Sequence, residues 1–134
     1  MSAPLLENLQ NPALYDHPVK YFKVIETHIS WVLLTGHFAY KIKKPVNFEF
    51  LDFSTLAKRR FFCHQEVRAN QALSPDVYLA AIPLTGSADQ PFFSGEGETF
   101  EYAIMMREFQ QDRLLTELLE QHELTSKIID DVAI

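Results

Sequence analysis

Three lysines stand close together in HFAYKIKKPV, residues 37–46, a stretch whose pattern is otherwise typical of a β-strand. Alternation along this strand predicts two faces, one with Phe38, Tyr40 and Ile42 and the other with Ala39, Lys41 and Lys43. A lysine on a buried face needs a partner, because burying an unpaired ammonium group is costly. A small residue followed by a lysine suits a site that holds a flat ring beside an anion. A solvated edge strand is the alternative interpretation.

The helix that follows this strand offers the partner carboxylate. Positions spaced i, i+4, i+7 and i+11 share one helix face, which here carries Phe62, Glu66, Ala69 and Leu73. Since most of this face is apolar, we predict that it packs on the sheet and brings Glu66 within about 4 Å of Lys41. We expect the pair to be partly exposed and to add little to stability. Lys43 shares the strand face of Lys41 and is the alternative anion-binding lysine.

The elements that position these residues follow from the hydrophobic periodicity. A short capping helix is predicted at Pro4–Leu14, and a long helix at Thr55–Leu73 with Ser54 as its N-cap. β-rich runs predict five strands and a candidate short strand at 91–93. The five strands are Val19–Ile25, Ile29–Leu34, Phe38–Lys43, 77–84 and 100–106. Short turns between strands, with one long helix packed on them, predict an α+β fold with an antiparallel sheet of about five strands.

Most of this sequence, roughly from Leu6 onward, carries a family resemblance. FAYK, residues 38–41, resembles the V-A-I-K strand of protein kinases. The longer block from Glu26 to Leu73, and above all its part up to Val46, resembles the N-terminal lobe of the aminoglycoside phosphotransferase-like family. Within that family it is similar to bacterial proteins that fuse such a kinase-like domain to a P-loop ATP-binding domain. EYAIMMREF, residues 101–109, resembles the strand that runs into the family's hinge.

The resemblance implies an ATP-binding lobe of a small-molecule phosphotransferase, with a role for each matching residue. Lys41 would contact the nucleotide phosphates and Glu66 would hold it in place. Ala39 would pack on adenine, with Met106 at the back of the pocket. The backbone of Arg107, Glu108 and Phe109 would hydrogen-bond the edge of the base. The turn with Thr27, His28 and Ser30 stands where kinases place a glycine-rich loop. It contains no glycine, so the hydroxyls of Thr27 and Ser30 are the expected phosphate donors.

The resemblance covers less than half of the family's kinase domain. It implies a lobe at residues 1–109, and a hinge exit with the first helices of a truncated C-terminal lobe at 110–134. The family's catalytic loop and its Mg²⁺-binding residues would then lie outside this chain, which alone would be inactive. An apolar stripe at Ile128, Ile129, Val132 and Ile134 supports a fragment and predicts self-association of the isolated chain. The alternative is a non-catalytic module of this fold that binds a nucleotide or a protein.

The composition limits the remaining classes of function. The chain has 134 residues, 47% of them hydrophobic, which suffices for one compact core. A net charge of −6 disfavours nucleic acid and anionic membranes as partners, and the basic run Lys58–Arg60 is interpreted as a solvated helix face. The histidines and the single cysteine, Cys63, show no metal-ligand spacing, so no metal site is predicted. Without a signal peptide or an apolar span of about 20 residues, the expected location is the cytoplasm.

Overall fold

The computed structural model describes residues 4–48 and 51–108, which form an antiparallel sheet with one long helix. The helices are Pro4–Asn8 (α1), a 3-10 turn at Pro12–Leu14, and Leu56–Leu73 (α2). The strands are Lys23–Glu26 (β1), Ser30–Leu34 (β2), Phe38–Lys43 (β3), Asn47–Phe48 (β4), Leu51–Asp52 (β5), Tyr78–Gly86 (β6), Pro91–Phe93 (β7) and Thr99–Arg107 (β8). Six strands form one sheet in the order β1-β2-β3-β8-β6-β7, and β4 pairs with β5. The α+β prediction is confirmed at this level.

Several predicted boundaries differ from those in the structure. The long helix is capped by Thr55 rather than Ser54, and the Thr55 hydroxyl accepts the Lys58 N–H at 3.2 Å. The predicted N-terminal helix ends at Asn8, and a separate 3-10 turn begins at Pro12 after Asn11, whose side chain caps it. The first strand begins at Lys23 and not at residue 19. The small β4–β5 pair was not predicted.

The sheet buries both of its faces. On one face, the N-terminal segment covers a core that includes Leu6, Leu9, Trp31 and Tyr40. On the other face, α2 packs on β6 and β8, and Val67 is among the buried residues there. The predicted alternation of β3 is confirmed. Its Tyr40 and Ile42 belong to the first core and its Ala39 to the second.

The inward face of α2 differs from the predicted one. Its buried residues are Cys63 and Val67, whereas Ala69 is exposed and Leu73 is 84% exposed. Glu66 borders this inward face, so the prediction that its side chain points to the sheet is confirmed. The prediction that Ala69 and Leu73 also face the sheet is wrong. The physical reason is that charged residues occupy part of the buried face, so apolar spacing alone does not mark it.

A buried carboxylate fixes the turn between β2 and β3. One oxygen of Glu108 accepts the N–H groups of Thr35 at 3.1 Å and Gly36 at 2.9 Å, and the other accepts the Tyr21 hydroxyl. Gly36 has φ +110°, and a Cβ there would lie 2.7 Å from the Cβ of Lys20. The turn therefore requires glycine.

In the described ranges, no helix is long and apolar enough to cross a membrane.

Candidate functional site

A buried charge cluster joins β3 to α2. The Lys41 ammonium lies 2.9 Å from Oε2 of Glu66, and the Lys43 ammonium lies 2.6 Å from Oε1 of the same carboxylate. The predicted contact between Lys41 and Glu66 is therefore confirmed. Lys43, predicted only as an alternative anion-binding lysine, makes a second contact with Glu66. Strand alternation brings both lysines to one face, and the helix repeat brings Glu66 to that face.

The cluster is more deeply buried than expected. The side chains of Lys41, Lys43 and Glu66 are 3%, 4% and 13% exposed. The expectation of a partly exposed pair is wrong because β3 lies inside the sheet, where Lys41 is flanked by Val32 of β2 and Ile104 of β8. An edge strand with solvated lysines is thereby excluded.

The electrostatics of the cluster follow from two ammonium groups sharing one carboxylate. Burial opposes ionisation of Glu66, but the charges and hydrogen bonds of Lys41 and Lys43 outweigh it and lower its pKa to about 2. Burial lowers the pKa of Lys41, and repulsion from Lys43 lowers it further, whereas Glu66 opposes both effects. With all three groups ionised, the cluster carries one positive charge more than its carboxylate balances.

Nearby neutral groups respond to the same environment. Burial raises the pKa of the Cys63 thiol to about 11 and that of the Tyr78 hydroxyl to about 12, and the charge of Glu66 adds to both shifts. Cys63 is a buried packing residue in the core under α2. The Lys43 ammonium also lies over the ring of Phe53, 4.6 Å from its centroid. Periodicity gave no signal for this aromatic contact.

A second ion pair holds the first turns of α2 to the sheet. Nε of Arg59 lies 2.9 Å from Oε1 of Glu101 on β8, and Nη1 donates to the Phe53 carbonyl at 2.8 Å. Burial raises the pKa of Glu101, and Arg59 opposes that shift. The interpretation of Lys58–Arg60 as a solvated face is therefore wrong for Arg59. Arg59 and Glu101 are 42 residues apart in sequence, so no local sequence pattern indicates their contact.

The predicted phosphate turn lies beside the cluster. Ser30 is paired with Lys43 across β2 and β3 and is buried, and His28 is exposed at the turn. The Thr27 and Ser30 hydroxyls lie 2.8 Å apart, and the Thr27 hydroxyl also accepts the Ser30 N–H at 3.0 Å. These two hydroxyls are thus engaged in the turn itself rather than directed to a ligand.

The residues predicted to bind the base lie close together, but they are buried or hydrogen-bonded within the protein. Ala39 and Met106 face each other across β3 and β8, and both are buried. The Arg107 N–H donates to the Val77 carbonyl at 2.7 Å, and the Glu108 N–H donates to the His37 carbonyl at 2.9 Å. Two N–H groups of the backbone predicted to hydrogen-bond the base are therefore engaged within the protein. Phe109, the segment 110–134 and its apolar stripe lie outside the described residues.

Comparisons with known proteins find similar proteins that are described as uncharacterized. The chain is 31% identical over 106 residues to an uncharacterized protein of Mycobacterium bovis and to uncharacterized proteins of two strains of Mycobacterium tuberculosis. The match covers 77% of this chain but only 20% of each relative, so the chain spans about one fifth of their length. No family model and no solved structure matches the sequence.

Proposed function

We propose that the chain is the ATP-binding lobe of a kinase-like small-molecule phosphotransferase, with Lys41 as the phosphate-binding residue. The observation that carries this proposal is that two buried lysines, Lys41 and Lys43, share the single carboxylate of Glu66. A phosphate oxygen would supply the missing negative charge at a place shielded from water, where charge interactions are strong.

The arrangement of elements supports the same proposal. Kinases aim a strand lysine at ATP by pairing it with a glutamate on the following helix. Lys41 on β3 and Glu66 on α2 have this order and meet at 2.9 Å. The resemblance of residues 26–46 to aminoglycoside phosphotransferase-like proteins adds support that is independent of the distance.

Nucleotide binding would require local rearrangement. A base could reach Ala39 only after the groups that now cover it move, because Ala39 is buried. The engaged N–H groups of Arg107 and Glu108 leave their carbonyl oxygens as the backbone atoms for a base to contact. No group of three or more acidic, histidine or cysteine side chains in the described ranges could hold a metal. The family resemblance implies that the Mg²⁺ ligands are residues outside this chain.

The proposal is tested by nucleotide binding and phosphotransfer in the full-length protein. Lys41→Met should lower both the affinity for ATP·Mg²⁺ and the turnover, by about 100-fold or more for turnover, because it removes a charge from the reacting phosphates. Lys44→Met is the matched control, since Lys44 pairs with Glu26 at 2.6 Å outside the cluster. Turnover of Lys41→Met equal to that of the control would contradict the proposal.

A second candidate is a non-catalytic interaction module of the same fold. The observation that favours it is that the expected base and phosphate contacts are already used within the protein, by Thr27, Ser30, Arg107 and Glu108. In that case the cluster of Lys41, Lys43 and Glu66 would serve stability alone. Calorimetry with ATP·Mg²⁺ separates the candidates, because a module that interacts only with a protein predicts no heat of binding.

A further inference from the structure

We infer that Arg59 and Glu101 form a positioning pair for the candidate site: their ion pair holds α2 in the orientation in which Glu66 meets Lys41. The inference rests on the proposed function, and it keeps the contact between Lys41 and Glu66 intact when a nucleotide binds. Arg59 and Glu101 act through Glu66 rather than on a ligand.

Apolar packing alone defines the orientation of α2 weakly. The helix has 18 residues, of which Cys63 and Val67 are buried. These two residues lie about one helical turn apart, so the apolar contact with the sheet is short. Burial of apolar surface is also non-directional, and it gives little resistance to a change in the angle of the helix. Directional contacts must therefore set that angle.

Two buried ion pairs on α2 supply such contacts. Glu66 meets the Lys41 ammonium at 2.9 Å, and Nε of Arg59 meets Oε1 of Glu101 at 2.9 Å. The side chains of Arg59 and Glu101 are each 11% exposed. Arg59 precedes Glu66 by about two helical turns, or roughly 10 Å along the axis, so both side chains lie on one face of the helix. A helix held at one point can pivot there, whereas a second point about two turns away prevents the pivot.

The contacts of Arg59 also reach the second lysine of the cluster. Its Nη1 donates to the Phe53 carbonyl at 2.8 Å, and the ring of Phe53 lies 4.6 Å from the Lys43 ammonium. On the sheet side, Oε1 of Glu101 accepts the N–H of Tyr102 at 3.1 Å, which fixes the carboxylate on β8. Arg59 thus ties the segment before α2, and the ring under Lys43, to the sheet.

The proposed base-binding residues do not depend on this pair in the same way. Ala39 and Met106 face each other across β3 and β8, and the sheet itself holds them. Loss of the pair between Arg59 and Glu101 should therefore misplace Glu66 without moving the base-binding strands. This predicts a larger effect on turnover than on the KM for ATP.

Turnover of the full-length protein with ATP·Mg²⁺ tests the inference. Arg59→Met should lower kcat at least about tenfold and change KM less than about threefold, because Glu66 no longer places Lys41 accurately. In a Lys41→Met background the same substitution should cost less than about twofold, since the residue that depends on the positioning is gone. A merely structural role of Arg59 would instead give equal losses in the two backgrounds, and that result would overturn the inference. Arg60→Met is the matched control, because Arg60 is the next residue and is exposed.

The orientation of α2 can be measured without nucleotide through the alkylation rate of Cys63. This residue lies on α2 between Arg59 and Glu66 and is fully buried, and burial raises the pKa of its thiol to about 11. It should therefore react slowly in the natural protein. The double variant Arg59→Met with Glu101→Gln removes the ion pair without leaving a buried charge unpaired, so it avoids the main cause of misfolding in Arg59→Met.

In this double variant Cys63 should be alkylated at least about tenfold faster than in the natural protein, as measured by mass spectrometry of the peptide that contains it. Arg60→Met should leave the rate unchanged. An unchanged rate in the double variant would overturn the inference whatever the turnover. Absence of ATP turnover in the natural protein, together with faster alkylation in the double variant, would overturn the proposed function and leave the positioning of α2 established.

Discussion

Glu66 is the residue on which the charge balance of the buried cluster depends. It is the carboxylate shared by the ammonium groups of Lys41 and Lys43, and all three side chains are buried. Removing one lysine leaves a neutral pair, whereas removing the carboxylate leaves two buried cations that repel each other. The three residues therefore contribute very differently to stability even though they form one cluster.

This asymmetry predicts the stabilities of single variants. Glu66→Gln should lower the free energy of unfolding by about 3–5 kcal/mol, as expected when a buried ion pair loses one partner. Lys41→Met should change it by less than about 1 kcal/mol, because Lys43 still pairs with Glu66 and no buried charge is left uncompensated. Urea unfolding at neutral pH measures both. Glu26→Gln is the control, since it removes an exposed carboxylate paired with Lys44. Equal losses in Glu66→Gln and Lys41→Met would contradict this account.

Glu66 also predicts part of the acid sensitivity. Its pKa falls from the ordinary value of 4.5 to about 2 in the folded protein, so its ionised form contributes about 3 kcal/mol above pH 4.5. That contribution should disappear as the pH falls from about 4.5 to 2, because the unfolded chain then binds the proton more readily. Burial raises the pKa of Glu101, so protonation of this residue increases the free energy of unfolding as the pH falls. The acid slope of the natural chain should therefore exceed that of Glu66→Gln, and equal slopes would assign the acid sensitivity elsewhere.

At the scale of elements, the β2–β3 turn depends on Glu108, which follows the neighbouring strand β8 and lies 73 positions from Thr35 in sequence. The Glu108 carboxylate accepts the Thr35 and Gly36 N–H groups, and Gly36 has no space for a Cβ. Glu108→Ala should cost about 1–3 kcal/mol, because the Gly36 N–H loses its acceptor and the Thr35 N–H keeps only its hydrogen bond to the Phe38 carbonyl at 3.0 Å. Amide exchange at residues 35 and 36 should become faster. His37→Ala, in the same turn but with an exposed side chain, should leave exchange unchanged.

The orientation of α2 gives a second prediction at this scale. Val67 is buried against the sheet, whereas Leu73 is 84% exposed. Val67→Ala should therefore destabilise the chain by about 1 kcal/mol or more, since it removes buried methyl groups. Leu73→Ala should fall within about 0.5 kcal/mol of the natural chain. Chemical denaturation would show the reverse order if α2 presented the face expected from apolar spacing.

The whole described molecule is a sheet with two covered faces, so its two cores should unfold together. Trp31, the single tryptophan, lies in the core under the N-terminal segment, while α2 lies on the opposite face. We expect tryptophan fluorescence and far-ultraviolet circular dichroism of the chain to give coincident unfolding transitions. Leu9→Ala, in the fully buried first core, should move both midpoints down together. Separate transitions would indicate that the N-terminal segment is not an integral layer.

The sequence by itself determined the elements with strong local periodicity. The bounds of β3, the alternation of Tyr40 and Lys41, and the end of α2 at Leu73 follow from residues close in sequence. The contact of Lys41 with Glu66 was predictable because two local repeats, on strand and helix, point to one interface. The resemblance to kinase-like lobes then suggested what that contact could do.

Only the tertiary structure decided how the remaining charges are used. Glu108 reaches Thr35 across 73 positions, and Arg59 reaches Glu101 across 42, so no local spacing connects them. Arg59 and Glu66 of α2 contact the sheet beside the buried Cys63 and Val67, so apolar periodicity does not mark this helix face. The contact between Lys43 and Glu66 depends on the length of the lysine side chain and on the Phe53 ring beneath its ammonium group. These contacts join residues that are close in space but far apart in sequence. A sequence pattern indicates contacts only between residues that are also near each other along the chain.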